Sequence, residues 1–199
     1  VVNALSELEH PCQAMADMMT LQEHFGNLRG VRLAYLGDGN NVSHSLMLAA
    51  ASLGASITVA TPKGYEPDGT ITDAARALAS ATGASVEVVN DPVEAVRGAD
   101  AIYTDVWASM GQEEEAESRR RIFAPFQVNQ KLFSYAAKHA VFMHCLPAHR
   151  GDEVTAAVMD SPRSVVFDQA ENRLHIQKSI LVLLLESGVH RFPPRSANA

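Results

Sequence analysis

The sequence predicts an α/β fold, a doubly wound, mostly parallel, Rossmann-like sheet with flanking helices, and two observations predict it. Short β-branched or apolar runs recur along the chain, and each is followed by a stretch with helical spacing. That alternation is the mark of a parallel sheet joined by crossover helices. With 199 residues and 47% hydrophobic content, the chain can bury one substantial core. The expected strands are Arg32 to Leu36, Ser56 to Ala60, Ser85 to Val89, Ala101 to Thr104, Val141 to His144 and Ser164 to Phe167. Between them, Val42 to Leu53 carries Leu46, Ala49, Ala50 and Leu53 on one helical face. A second crossover, Thr72 to Ala81, opens with a Thr-Asp cap, and a third starts at Asp91-Pro92 with proline in first position. Two further helices frame the sheet, Pro11 to Phe25 before the first strand and Asn172 to Leu185 after the last. The tail from Phe192, with Pro193-Pro194 and small residues, reads as disorder.

Charge and composition exclude several function classes. A formal charge of -7 and no clustered Lys and Arg argue against nucleic acid as a partner. Two cysteines, Cys12 and Cys145, make no disulfide framework, and a reducing, cytoplasmic setting is expected. No apolar run approaches membrane-spanning length, so no membrane association is expected. The chain starts at Val1 within an apolar segment, which suggests a portion upstream.

In an open parallel sheet, ligands bind beyond the carboxyl ends of the strands. The loops there are chemically rich. Gly37-Asp38-Gly39-Asn40-Asn41 follows the first strand, Asp105-Val106-Trp107-Ala108-Ser109-Met110-Gly111 the fourth, and Cys145-Leu146-Pro147-Ala148-His149 the fifth. The first lacks the third glycine of a dinucleotide fingerprint, so it reads as a capped turn that can aim an amide at a ligand. His10-Pro11-Cys12-Gln13 places an imidazole and an amide at a helix start, where free N–H groups favour a negatively polarised atom. Asp105 with Ser109 and Met110 offers a carboxylate for an ammonium group and a hydroxyl for a carboxylate. His144, Cys145 and His149 lack a matching second pair of metal ligands, so no metal is expected. The run of Glu113, Glu114, Glu115 and Glu117, followed by Arg119, Arg120 and Arg121, reads as a solvated helix.

Taken in order, His10-Pro11-Cys12-Gln13, Gly37-Asp38-Gly39-Asn40-Asn41, Asp105-x-Trp107-x-Ser109-Met110-Gly111, His144-Cys145-Leu146-Pro147 and Glu171-Asn172-Arg173 resemble the ornithine carbamoyltransferases. The similarity runs to about Glu186. Aspartate carbamoyltransferase is less similar, while acetylornithine, succinylornithine and putrescine carbamoyltransferases are close competitors; a non-catalytic amino-acid-binding module is the alternative of another class.

The resemblance implies transfer of a carbamoyl group from carbamoyl phosphate to the side-chain amine of L-ornithine, without cofactor or metal. It implies that His10 and Arg173 polarise the carbonyl oxygen, and that Gln13 with the backbone carbonyls of Cys145 and Leu146 holds the carbamoyl amino group. Asn41, Asp105, Ser109 and Met110 would grip the amino acid, with Cys145 and Asp105 aligning the amine. The Ser-Met-Gly loop and the Glu-rich segment after it resemble the family's mobile lid. It further implies a bridging helix in residues 1–25, an amino-acid-binding domain in 26–170, a C-terminal bridging helix in 171–188 and a tail in 189–199. The family's Ser-x-Arg-Thr phosphate loop has no match in the sequence. A carbamoyl-phosphate domain upstream is therefore expected as the missing partner, in a homotrimer or a multiple of one.

Overall fold

The computed structural model describes residues 1–108 and 116–186. Its centre is a five-stranded, all-parallel sheet in the order β3-β2-β1-β4-β5. The strands are β1 (Arg32–Leu36), β2 (Ser56–Ala60), β3 (Val86–Val89), β4 (Ala101–Thr104) and β5 (Val141–His144). Alternate residues of each strand enter opposite layers, as a pleated strand covered on both faces requires. Leu33, Tyr35, Ile57, Val59, Tyr103 and Met143 pack in one layer. Ala34, Leu36, Ala60, Ile102 and Phe142 pack in the other. Phe142 is fully buried, and truncating such a side chain to alanine costs about 3–5 kcal/mol.

The first layer is covered by α1 (Pro11–Phe25), α2 (Asn41–Leu53) and α3 (Gly69–Thr82). The second holds α4 (Pro92–Val96), α6 (Gln130–Phe133) and α7 (Ala156–Met159). Helix α5 (Ala116–Phe123) lies near the carboxyl end of the sheet, and α8 (Val166–Glu186) packs along α1. The α1–α8 seam is partly polar, with Asn172 Nδ2 donating to Thr20 Oγ1 at 3.0 Å and to Glu23 Oε2 at 2.7 Å. Among the described residues no helix is long and apolar enough to cross a membrane.

Two expectations need correction. The Ser164 to Phe167 strand is only an isolated bridge from Ser164 to Phe142, after which α8 begins at Val166. Val166, Gln169 and Asn172 are the buried residues of α8, a spacing of three that belongs to a helix, while Phe167 is 73% exposed. A short apolar run fits either state, and helical packing on α1 decides this one. The cap of α3 is also misplaced in the sequence reading. Asp68, not the Thr72-Asp73 pair, accepts from Thr70 N at 2.8 Å and Ile71 N at 3.2 Å. By contrast Asp91 caps α4 as expected, accepting from Val93 N at 2.8 Å.

The strand order reverses between β1 and β4, so α2 leaves one side of that point and the β4 loop the other. A crevice opens where the order reverses, beyond the carboxyl ends of these two strands.

Candidate active site

The crevice is a cleft of about 1010 Å³. His10, Gln13, Asn41, Asp105, Cys145, Leu146 and Arg173 all line it, drawn from α1, α2, α8 and the loops after β4 and β5. Ser109 and Met110 lie outside the described residues, as do Glu113 to Glu115 of the acidic run.

The β1–α2 turn sets one wall. Gly37 has φ 146°, which disfavours other residues. Gly39 is needed for a different reason: a Cβ there would stand 2.2 Å from Pro67 N, because Gly39 N donates to Tyr65 O at 2.8 Å. The glycine therefore serves packing of one loop on another. Asn40 is the N-cap of α2, its Oδ1 accepting from Val42 N at 3.1 Å and Ser43 N at 3.2 Å. Its Nδ2 donates to Asp105 Oδ2 at 2.8 Å. So one amide of the Asn-Asn pair ties the helix start to the β4 loop. The other, Asn41, donates from Nδ2 to Ser6 O at 2.7 Å and pins the N-terminal segment to the cleft rim.

Asp105 is 7% exposed and accepts from Asn40, from its neighbour Val106 N at 2.7 Å, and from Cys145 Sγ at 3.0 Å. Burial, then the Asp105 charge, holds the Cys145 thiol well above its ordinary pKa. The thiol therefore stays protonated and donates, which suits it to orienting a neighbour and not to nucleophilic attack. Leu146 has φ 60°, a left-handed conformation that leucine rarely adopts, and its N–H donates to His144 Nδ1 at 2.8 Å. That bond leaves the His144 proton on Nε2, which faces buried Glu153 Oε1 at 3.3 Å. Ligand atoms of Asp105, His144 and Cys145 lie within 4.8 Å of one another. Asp105 and Cys145 are joined to each other by a hydrogen bond, while both ring nitrogens of His144 are engaged elsewhere, by Leu146 N and Glu153.

His10 is the N-cap residue of α1, its backbone N–H donating to Ser45 Oγ at 2.8 Å. Its ring is half-buried, Nδ1 has no partner, and burial followed by the Arg173 charge lowers its pKa. The imidazole is thus neutral at physiological pH and can donate one N–H without carrying charge. Gln13 is 1% exposed; Nε2 donates to Asp17 Oδ1 at 2.8 Å, and Oε1 accepts from Arg173 Nη1. Gln177, with its amide oxygen toward the guanidinium, accepts from Arg173 Nη2 at 2.9 Å and Nε at 3.1 Å. Arg173 is held by acceptors from two helices, with no carboxylate beside it in these contacts. A guanidinium so placed keeps its field for a ligand.

Two of these partners escape the sequence. Asp17 and Gln177 sit on ordinary helical stretches, and only their contacts mark them. Arg119 requires a correction, because it does not lie on a solvated face. It is 5% exposed, pairs with Asp38, donates from Nε to Trp107 O, and sits 5.0 Å from the Tyr65 and Phe123 ring centroids. A usable signal was its spacing of four from buried Phe123. Arg120 and Arg121 are exposed, as expected.

Known proteins share this fold. A family model described as the Asp/Orn binding domain of aspartate/ornithine carbamoyltransferase matches residues 29–184. The ornithine carbamoyltransferase of Pyrococcus abyssi is 60% identical over 185 residues, 93% of this chain and 58% of the relative. The Pyrococcus furiosus ornithine carbamoyltransferase structure superimposes with a TM-score of 0.88 at 60% identity, covering 90% of this chain and 57% of that one. A structure of N-acetyl-L-ornithine transcarbamylase gives a TM-score of 0.79 at 35% identity, covering 89% of this chain and 57% of that one. The chain spans about three-fifths of the length of the curated relatives it matches. With the family model covering most of the sheet and its helices, the chain belongs to the aspartate/ornithine carbamoyltransferase family.

Proposed function

We propose that this chain forms the amino-acid-binding part of an ornithine carbamoyltransferase, which gives L-citrulline and phosphate in arginine biosynthesis. One observation carries the reading: a partly buried carboxylate–thiol pair, Asp105 and Cys145, lines the same cleft as the His10, Gln13 and Arg173 cluster. The first pair suits a cationic amino acid, and the second suits a polarised carbonyl. Identity of 60% to the Pyrococcus abyssi ornithine enzyme, against 35% to the N-acetyl-L-ornithine enzyme, supports ornithine as acceptor.

In this reading the neutral side-chain amine attacks the carbonyl carbon of carbamoyl phosphate. A C–N bond forms, the C–O bond to phosphate breaks, and a proton from the amine leaves with the phosphate. Charge builds on the carbonyl oxygen, where His10 and Arg173 donate. Gln13 and the Cys145 and Leu146 carbonyls hold the carbamoyl amino group, a matter of positioning. Asn41, Asp105, Ser109 and Met110 bind the amino acid's ends, and Cys145 with Asp105 aligns the amine.

The apolar sides of α1 and α8 are assigned to a carbamoyl-phosphate domain, with residues 1–25 and the C-terminal helix as bridges to it, and assembly as a trimer or a multiple of one. Assay of the full-length protein with carbamoyl phosphate and ornithine, N-acetylornithine or putrescine tests the acceptor. Ornithine is expected to exceed the others in kcat/KM by about a hundredfold, since a site built around buried polar groups rejects analogues that leave them unpaired. Equal or better turnover of either competitor would overturn the assignment.

A further inference from the structure

Beneath the cleft, and ending on Gln13, lies a buried polar chain whose inner members Asp17 and Gln169 the transfer chemistry above does not use. Asp17, on the second turn of α1, is 0% exposed. Its Oδ1 accepts from Gln13 Nε2 at 2.8 Å and from Gln169 Nε2 at 2.7 Å. The other end of Gln169 accepts from His144 N at 2.9 Å, so the chain links α1 and α8 to the end of β5. A primary amide can turn either way, and its neighbours decide which end is donor and which acceptor. Gln13 has an acceptor carboxylate on its inner side and Arg173, which can only donate, on the other. Its nitrogen must point inward and its oxygen outward.

We propose that Asp17 is a positioning residue that turns the Gln13 amide so that its oxygen faces the cleft, making position 13 an acceptor that selects an amino group on the transferred acyl unit. The inference rests on the carbamoyl-transfer reading and deepens it, naming what distinguishes a carbamoyl donor from an acetyl donor. Arg173 occupies one lone pair of Gln13 Oε1, which leaves the second for a substrate N–H. An acyl phosphate with a methyl group in place of the amino group leaves that oxygen and its desolvated surroundings unpartnered, which costs affinity.

The role asks for an acceptor at Oδ1, not for charge. Asp17 Oδ2 has no hydrogen-bond partner, and the Tyr103 hydroxyl, likewise buried without one, is among the groups that act on this carboxyl. Burial raises the Asp17 pKa to about 7, so the neutral acid is well populated near neutral pH. An asparagine with its oxygen toward Gln13 and Gln169 and its NH₂ toward Tyr103 reproduces the arrangement; a leucine of similar volume does not.

The test compares native, Asp17→Leu and Asp17→Asn forms of the full-length protein, measuring KM for carbamoyl phosphate and the inhibition constant of acetyl phosphate. Asp17→Leu is expected to lower kcat at least about tenfold and to narrow the preference for carbamoyl over acetyl phosphate by about tenfold, the loss of one oriented hydrogen bond. Asp17→Asn is expected to restore the preference to within about threefold of native. A purely structural role would weaken both ligands by one factor; that result, or an Asp17→Asn variant as impaired as Asp17→Leu, overturns the proposal. The orientation has its own readout in the 199-residue chain, whatever the reaction. The Gln13 side-chain NH₂ resonances should exchange slowly with solvent in the native form and in Asp17→Asn, and rapidly in Asp17→Leu. If the native protein discriminates no acyl phosphate yet this exchange pattern holds, the carbamoyl-transfer reading fails and the orienting role stands. Rapid exchange in the native form sinks the orienting role itself.

Discussion

Replacing Arg173 with alanine in the full-length protein is expected to lower kcat by about a hundredfold or more while KM for ornithine changes less than about threefold. The reason lies in how the guanidinium is held. Gln13 Oε1 on α1 and the Gln177 amide oxygen on α8 orient it, and both are neutral acceptors. In the proposed mechanism its charge is therefore left for the oxygen on which negative charge grows during transfer. An interaction that strengthens only as that charge develops lowers kcat when removed and leaves ground-state binding of the amine alone. His10→Ala should act in the same direction, because in the proposed mechanism the neutral ring donates to the same oxygen. Steady-state kinetics at saturating carbamoyl phosphate checks both. A large rise in KM for ornithine with kcat unchanged would move Arg173 to the amino acid's carboxylate.

The 199-residue chain by itself is expected to form no citrulline above background and to bind a hydrophobic dye or self-associate. Among the described residues, α8 carries more exposed large hydrophobic side chains than any other element. On α8, Phe167, Leu174, Leu181, Val182, Leu183 and Leu185 are each more than half exposed. Met15 is 43% exposed on α1, where Met15 and Met19 join Ala49, Leu53 and Ile176 around a groove of about 510 Å³. Met18 is 2% exposed and belongs to the core, and Leu184 is half-buried. Contiguous apolar surface beyond a few hundred Å² on a soluble monomer usually marks a partner's place. Supplying a carbamoyl-phosphate domain in trans should suppress dye binding and self-association. Sedimentation with a dye titration checks this, and a monodisperse, dye-silent monomer would favour a self-sufficient binding module.

Much of the fold was legible in the sequence because each strand is a short apolar run with its crossover helix marked by a cap or a proline. The failures have physical causes. Val165-Val166-Phe167 carries no period of its own, and only packing of Val166, Gln169 and Asn172 against α1 makes it a helix start. Cleft residues legible from sequence, such as His10, Asp105 and Cys145, stand at strand or helix ends, where the fold exposes chemistry. Those missed, such as Asp17 and Gln169, act through contacts 152 residues apart in sequence, and no local pattern reports such a contact. Arg119 shows the opposite error. A charge run reads as solvated until the loop it meets supplies Asp38 and the Trp107 carbonyl.

The most direct test of the account is a crystal structure of the full-length protein with a bisubstrate analogue in which a phosphonoacetyl group is joined to the side-chain nitrogen of ornithine. The expected structure places the carbonyl oxygen on His10 and Arg173, the linking nitrogen beside Cys145 and Asp105, and the amino-acid end on Asn41. An analogue seated the other way round, with its carboxylate on Arg173 and its phosphonate against Asp105, or bound outside this cleft, would contradict it.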